Sequence, residues 1–206
     1  MPSGSLANLS AIADDLIRDL DAKDAARERA IALSRETVRL SGAAIRAVQR
    51  GEDADAALAE ALASGRRLAD AVEGHMELAA AGFTENAQQE VAEAAMVVAI
   101  AKDRPLPRPR DLPVTPQAYV LGLGDVVGEL RRLALADVVA ADEKRAARHL
   151  AMMEEVLDTL LRFDYPGALV EVRRKQDVAR SLVERTRGEV AVALVSARLE
   201  QRLRSV

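Results

Sequence analysis

Apolar residues recur at steps of three and four along most of the chain, which is the spacing that gathers them on one face of an α-helix. Within the first fifty residues the positions with this spacing are Leu9, Ile12, Leu16, Leu20, Ile31, Val38, Ile45 and Val48. Gly51 follows the last of them, and glycine there is a common stop signal for a helix. The pattern therefore predicts one helix over residues 6–50, roughly 65 Å long at ~1.5 Å per residue.

The same spacing predicts six more helices after this one. Their expected ranges are 53–81, 84–102, 116–140, 142–163 and 168–187, followed by a last one that reaches the C-terminus. Gly65 and Gly74 weaken the second helix and are candidate breaks in it, and Gly188 separates the last two, because glycine is disfavoured in helix interiors. Thr84 is the expected N-cap of the third helix, and Thr115 caps the fourth ahead of a proline at its first position.

The segment over residues 103–116 is the clearest non-helical part of the chain. Its prolines are Pro105, Pro107, Pro109, Pro113 and Pro116. Because proline lacks the backbone N–H and fixes φ, an extended linker is expected. A length of 206 residues fits one domain, and aromatic residues at only 2% disfavour a β-sandwich or barrel. We predict an all-α, single-domain antiparallel bundle of about seven helices over residues 1–206.

Composition excludes several kinds of site. The chain has no cysteine, which excludes disulfides and thiolate metal ligands. Its longest apolar stretch is far shorter than the ~18 residues of a membrane span, and its first residues lack a signal-peptide pattern, so we expect a cytoplasmic protein without membrane contact. The net charge of −4 gives no global attraction to nucleic acid, so any such binding needs local basic patches.

Two pairs of carboxylates lie at helical spacing. Glu90 and Glu93 are three residues apart in the third predicted helix, and Asp125 and Glu129 are four apart in the fourth. Each pair therefore projects from one face of its helix. Such carboxylates could hold one or two hard divalent cations, which activate water for attack on a phosphodiester. In a chain with 33 acidic residues, the same spacing also occurs on ordinary solvated helix faces.

The second pair has unusual neighbours. The apolar stripe beside it, which should face the core, comprises Tyr119, Leu123, Val126, Leu130 and Leu133. Gly122, Gly124 and Gly128 surround the two carboxylates. Three glycines in a helix interior cost roughly 2–3 kcal/mol relative to alanine. They indicate close approach to this helix by the backbone of another helix or by a ligand.

Clusters of basic residues are the candidates for phosphate contacts. Arg131 and Arg132 directly follow the second carboxylate pair and could hold phosphate oxygens. The other candidate RNA-binding residues are Arg35, Arg39, Arg173, Arg174 and Lys175. Each cluster taken alone is more often solvated helix surface or an ion-pair partner.

Several segments resemble the translin superfamily. Residues 119–132, which read Tyr-Val-Leu-Gly-Leu-Gly-Asp-Val-Val-Gly-Glu-Leu-Arg-Arg, resemble the signature helix of that superfamily. Residues 83–94, with their Gln-Glu-x-x-Glu, are similar to its third helix, and residues 165–188 are similar to its C-terminal region. The catalytic carboxylates of the translin-associated factor X branch fall on Glu90, Glu93, Asp125 and Glu129. The resemblance therefore favours that nuclease branch over translin itself.

The resemblance also implies an architecture and an activity. Members of the family have a seven-helix, all-α subunit that assembles into a hollow octamer with interior active sites and cuts RNA with Mg²⁺ (or Mn²⁺). It implies here a homo-oligomer of eight copies that binds RNA and, in addition, single-stranded DNA. The chain departs from the family in three ways. It lacks a basic N-terminus that resembles a nuclear-localisation signal, a short proline-rich linker replaces a long acidic insertion, and Gln49 stands where a histidine, one possible RNA contact, is expected.

Other functions stay open beside the metal-dependent endoribonuclease. One is a nucleic-acid-binding module that does not cleave, and another is a purely structural assembly protein. A third is a helical nucleotide pyrophosphohydrolase, whose second acidic pair is typically E-x-x-D, whereas here the spacing is Asp125-x-x-x-Glu129.

Overall fold

The computed structural model describes residues 6–204, and this part of the chain contains helices and no β-strand. Its seven α-helices are α1 Leu9–Gln49, α2 Asp55–Ala71, α3 Met76–Ala79, α4 Gly82–Ala101, α5 Pro116–Val139, α6 Glu143–Leu160 and α7 Val172–Arg204. The predicted all-α fold class and the number of helices are confirmed.

Helices α4 and α5 form the centre of the subunit. Helix α4 packs on α1, α2 and α5, while α5 packs on α4, α6 and α7. Residues 91–99 of α4 are buried on every side, as expected for a helix surrounded by others. In α5 the predicted apolar stripe lies in the core, with Leu123, Val126 and Leu130 buried and its two end residues half-buried. The two helices that carry the carboxylate pairs are therefore neighbours with fixed faces.

Of the three glycines expected to weaken or break a helix, only Gly74 does so. The second predicted helix is divided into α2 and α3, because Gly74 adopts a left-handed φ of 79° that continues no helix. The predicted break at Gly188 is absent, and α7 runs through it. Nothing lies within 4 Å of where a Cβ of Gly188 would be, and the buried Val183 and Val190 on either side pack into the subunit. Packing of these flanking turns outweighs the weak helix propensity of one glycine.

The predicted N-cap at Thr115 is confirmed, whereas the predicted N-cap at Thr84 is wrong. Thr115 caps α5, since its hydroxyl accepts a hydrogen bond from Ala118 N at 3.2 Å. Asp142 caps α6 in the same way, accepting from Arg145 N at 3.0 Å. Thr84 does not cap α4 as predicted, because α4 already begins at Gly82. The buried hydroxyl of Thr84 instead donates to the Leu78 carbonyl at 2.7 Å.

The proline-rich segment packs on the bundle rather than only linking two helices. Within the predicted extended linker lies a short 3-10 turn, Pro109–Asp111. The Tyr119 hydroxyl donates to the Pro107 carbonyl at 2.8 Å. A Cβ at Gly65 of α2 would lie only 3.0 Å from Pro113 Cγ. Gly65 therefore makes room for the proline segment and does not interrupt α2.

Gly122 allows α4 and α5 to approach closely. A Cβ at this position would lie 2.8 Å from the Gln89 carbonyl oxygen and 3.1 Å from Glu93 N, both in the backbone of α4. Backbone atoms inside a packed helix cannot move aside at low energy. The close approach predicted from the glycines thus occurs at Gly122, beside the first carboxylate pair.

Alanine substitutions at two glycines of α5 should change stability in opposite directions. Gly122→Ala should lower the free energy of unfolding by about 1–3 kcal/mol, because the added methyl overpacks the contact with α4. Gly128→Ala should raise the free energy of unfolding by about 0.5–1 kcal/mol. Nothing lies within 4 Å of where the added Cβ would be, and alanine is the better helix former. Urea denaturation of both variants tests this pair. Equal effects of the two substitutions would show that Gly122 is not a close contact.

Large apolar side chains remain exposed at both ends of the chain. On the first half of α1 they are Leu9, Ile12, Leu16, Ile17 and Leu20, each between 45% and 63% exposed. Near the end of α7 they are Val192, Val195, Leu199 and Leu203, each between 55% and 77% exposed. None of the described helices has the length and apolar character needed to cross a membrane.

Candidate active site

The two carboxylate pairs face each other where α4 and α5 cross. Glu90 and Glu93 come from α4, and Asp125 and Glu129 come from α5, at and just after the close contact made by Gly122. Glu93 and Glu129 are each only 8% exposed, which is unusual for glutamate. Two nearly buried carboxyl groups on facing helices need compensating charge or hydrogen bonds.

The pKa of Glu93 reports how closely these groups are placed. Burial, followed by the negative charges of Asp125, Glu90 and Glu129, raises this pKa to about 8. Burial also raises the pKa of Glu90, with Asp125 and Glu129 contributing, while the Lys175 ammonium acts in the opposite direction. All four carboxylates therefore belong to one electrostatic centre.

Asp125 lies in the middle of this centre with a donor on each carboxylate oxygen. Lys175 Nζ, from the first turn of α7, donates to Oδ1. Gln89 Nε2, from α4, donates to Oδ2. Asp125 is 28% exposed at its side chain, so one edge of the centre is open to solvent. The two donors fix the orientation of the carboxylate plane from two different helices.

Glu129 is held by donors from α1 and from its own helix. Gln49 Nε2 at the end of α1 donates to Oε2 at 2.5 Å. Arg132, one turn further along α5, places NH1 3.1 Å from Oε1. Gln49 replaces the histidine expected from the family resemblance, and it contacts a carboxylate of the centre.

The donor set suits a hard divalent cation, although the carboxylates are not arranged as a finished cage. Carboxylate oxygens are the ligands that Mg²⁺ and Mn²⁺ prefer, and a cation would relieve the repulsion that raises the pKa of Glu93. Within residues 6–204 no three carboxylate, histidine or cysteine side chains form a metal-binding group as they stand. Lysine, glutamine and arginine donors satisfy Asp125 and Glu129 instead.

The candidate RNA-binding residues of α1 lie on a line that leads to this centre. Arg35 and Arg39 are both exposed, and Arg46 continues the same face of α1 at helical spacing. The next position on that face is Gln49, which contacts Glu129. In the described part of the chain none of the three arginines forms an ion pair. They present about 17 Å of unneutralised positive charge along the helix.

The other basic candidates differ in how their guanidinium groups are paired. Arg173 and Arg174 are exposed at the start of α7, where Arg173 pairs with the exposed Asp164 at 3.8 Å, and Arg132 is 66% exposed while bound to Glu129. Arg131 points to α7, where its guanidinium makes a bidentate pair with Glu189 at 2.7 and 3.0 Å and also donates to Thr186. A guanidinium with these partners links two helices and is less free to hold phosphate.

Three participants of the site were not predicted as such. The sequence predicts Gln89 only as part of the Gln-Glu-x-x-Glu motif, Gln49 only as a departure from the family, and Lys175 only as an RNA contact. The position of Gln89 directly before Glu90 is the sequence signal for its role. Once α4 and α5 pack at Gly122, this position brings Gln89 close to Asp125.

Similar proteins were found by sequence and by structure. Residues 81–188 match the Translin family. An uncharacterized protein of Methanocaldococcus jannaschii is 31% identical over 196 residues, covering 93% of this chain and 86% of that protein. The crystal structure of AfC3PO is 34% identical with a TM-score of 0.81, covering 89% of this chain and 97% of that chain.

A second structure of the same relative contains RNA. The AfC3PO chain in the duplex RNA complex is 33% identical to this chain with a TM-score of 0.77. The match covers 89% of this chain and 96% of that chain. The family match spans the two facing helices, the proline-rich segment, α6 and the first half of α7. From its sequence, its fold and these similarities, the chain belongs to the Translin family.

Proposed function

We propose that this protein is a divalent-metal-dependent endoribonuclease that cleaves single-stranded or short RNA. One observation carries the proposal: two carboxylate pairs on facing helices form a single electrostatic centre in which the pKa of Glu93 is raised to about 8. A cluster of carboxyl groups whose pKa values are raised by burial and by one another's charge is more typical of a functional site than of a solvated helix face.

Each residue of the centre has a role in this proposal. Glu90, Glu93, Asp125 and Glu129 would hold the ion. When bound there, Mg²⁺ or Mn²⁺ would supply an activated water and stabilise charge on the phosphodiester. Gln89 and Gln49 orient Asp125 and Glu129 by hydrogen bonds, as outer partners of metal ligands commonly do.

RNA binding is supported by the relative and by the charge distribution. AfC3PO has been solved in complex with duplex RNA, and it shares a third of its residues with this chain. Arg35, Arg39 and Arg46 could follow the phosphate backbone along α1 toward Glu129, and the exposed Arg173 and Arg174 could contact it from α7. Such binding should weaken steeply with salt, because each neutralised phosphate releases counterions. Single-stranded DNA could occupy the same basic surface.

Cleavage of end-labelled single-stranded RNA tests the proposal. Metal-free protein should cut the RNA internally after Mg²⁺ or Mn²⁺ is added and should stop when a chelator is added. Parallel reactions contain the same sequence as single-stranded DNA and a nucleoside triphosphate. Release of pyrophosphate from the nucleotide without RNA cleavage would favour the pyrophosphohydrolase alternative and contradict the proposal.

A non-cleaving nucleic-acid-binding protein is the second candidate. The observation that favours it is that Lys175, Gln89, Gln49 and Arg132 already satisfy the α5 carboxylates without a metal ion. On this alternative the RNA would shift in a mobility assay at low salt, and it would stay intact with either metal. Intact RNA with tight binding would therefore decide for the second candidate.

We also propose that the protein assembles into a closed homo-oligomer of eight copies. Several large apolar side chains are exposed together on α1 and again on α7, rather than singly. Such contiguous apolar faces usually mark subunit interfaces. An enclosed basic interior would explain how a protein of net charge −4 binds an anion. Light scattering at micromolar concentration in moderate salt should give a mass of about eight subunits. A monomer under these conditions would contradict the assembly, and substitution of Leu16 and Leu20 by serine should shift the mass downward.

A further inference from the structure

Lys175 reaches the carboxylate centre from the opposite side to α4. Its Nζ donates to Asp125 Oδ1, and its side chain is only 24% exposed. The stem of the lysine lies directly on Gly124, where a Cβ would be 2.8 Å from Lys175 Cβ and 3.1 Å from its Cγ. A side chain at position 124 would displace this stem. Gly124 therefore keeps open the path by which the ammonium group reaches the carboxylates.

The charge of Lys175 acts on the whole centre. It touches Asp125 directly, and it opposes the rise in pKa of both Glu90 and Glu93. The other donors to Asp125 and Glu129 include two neutral glutamines and Arg132, whose side chain is 66% exposed. An exposed guanidinium is screened by water, whereas a largely buried ammonium is not.

We propose that Lys175 is a built-in counter-cation that competes with the divalent metal ion for Asp125 and thereby sets the affinity of the centre for metal. The inference rests on the proposed metal-dependent function, because it assumes that an ion binds at these carboxylates. In the metal-free protein the ammonium holds Asp125 beside the two glutamates of α4. A metal ion must displace or share that contact, so part of its binding energy is offset.

Removal of the charge should therefore tighten metal binding rather than weaken it. Lys175→Met keeps most of the stem and removes the ammonium. Its Kd for Mn²⁺ should fall by about tenfold or more, since a unit charge a few ångströms away acts strongly in a partly buried site. Lys175→Arg keeps the charge and should bind Mn²⁺ within about threefold of the wild type. If Lys175 only packed against α5, Lys175→Met would bind Mn²⁺ as weakly as the wild type or more weakly.

Calorimetric titration with Mn²⁺, without RNA, measures this on the full chain. Arg180→Met is the matched control, because Arg180 is an exposed cation of the same helix that pairs with Asp177 at 3.2 Å, away from the centre. Gly124→Ala is a second variant that retains the lysine but displaces its stem, and it should also tighten Mn²⁺ binding. It keeps the inference testable if Lys175→Met fails to fold.

The outcomes separate this inference from the proposed function. No Mn²⁺ binding by the wild type or by Lys175→Met would overturn both. Suppose that Asp125→Ala abolishes Mn²⁺ binding while the wild type and Lys175→Met bind Mn²⁺ with the same Kd. This result would overturn only the counter-cation role of Lys175. A tighter Kd in Lys175→Met and Gly124→Ala, with unchanged values in Lys175→Arg and Arg180→Met, is the expected result.

Discussion

Replacement of Asp125 by alanine should lower the rate of RNA cleavage by at least about a hundredfold. Asp125 lies at the middle of the centre, where its charge raises the pKa of both Glu90 and Glu93 and where donors from α4 and α7 meet. Loss of an outer partner of a metal ligand already costs about 10–100-fold, so loss of a ligand should cost at least as much.

The same substitution should leave the subunit folded. Asp125 is partly exposed, and its removal relieves repulsion among the remaining carboxylates while Lys175 stays attracted to them. The free energy of unfolding should change by less than about 1 kcal/mol. Asp158→Ala, at an exposed aspartate of α6, is the matched control and should retain full activity. Full cleavage by Asp125→Ala with metal present would refute the assignment of the centre.

The metal-free protein should lose stability as the pH rises from about 4.5 to about 8. The pKa of Glu93 is about 8 in the folded protein and 4.5 without perturbation. Below this window the group is protonated in both states, and within it the unfolded chain releases the proton while the folded protein retains it. The free energy of unfolding therefore falls with rising pH, by on the order of several kcal/mol, since one pKa unit corresponds to about 1.4 kcal/mol.

Chemical denaturation of the wild type and of Glu93→Gln in a chelator isolates this effect. Glutamine does not titrate, so the difference in unfolding free energy between the two proteins should change across the window and become constant above it. Mn²⁺ should restore stability to the wild type at high pH and should do much less for Glu93→Gln. A difference that stays constant with pH would show that Glu93 is an ordinary solvated carboxyl group.

Local sequence signals were sufficient for much of the fold. The cap at Thr115 and the buried stripe of α5 depend on neighbouring residues, and the structure agrees with them. Gly65 and Gly188 were expected to weaken or end a helix, and neither does, because the role of each depends on residues outside its own turn. Pro113 occupies the space beside Gly65, and the turns around Gly188 are held by buried valines.

The site was predictable only where helical spacing determines it. Spacing places each carboxylate pair on one face, and Gly122 indicated that another helix comes close. Spacing within one helix cannot identify donors from other helices. Gln49 lies 80 residues from Glu129 in the sequence, and Lys175 lies 50 from Asp125. The RNA contacts of Arg35, Arg39, Arg132, Arg173 and Arg174 stay predictions, and the pair of Arg131 with Glu189 favours a structural role for that residue.

The most direct test of the account is to locate Mn²⁺ in crystals of the wild-type protein. An anomalous difference map collected after a soak in Mn²⁺ identifies the ion without any assumption about activity. The account predicts a peak between α4 and α5, within about 2.0–2.6 Å of oxygens from Glu90, Glu93, Asp125 or Glu129. Crystals of Asp125→Ala soaked in the same way should show no such peak. A wild-type protein that cleaves RNA with Mn²⁺ while its only manganese peaks lie away from these carboxylates would contradict the account.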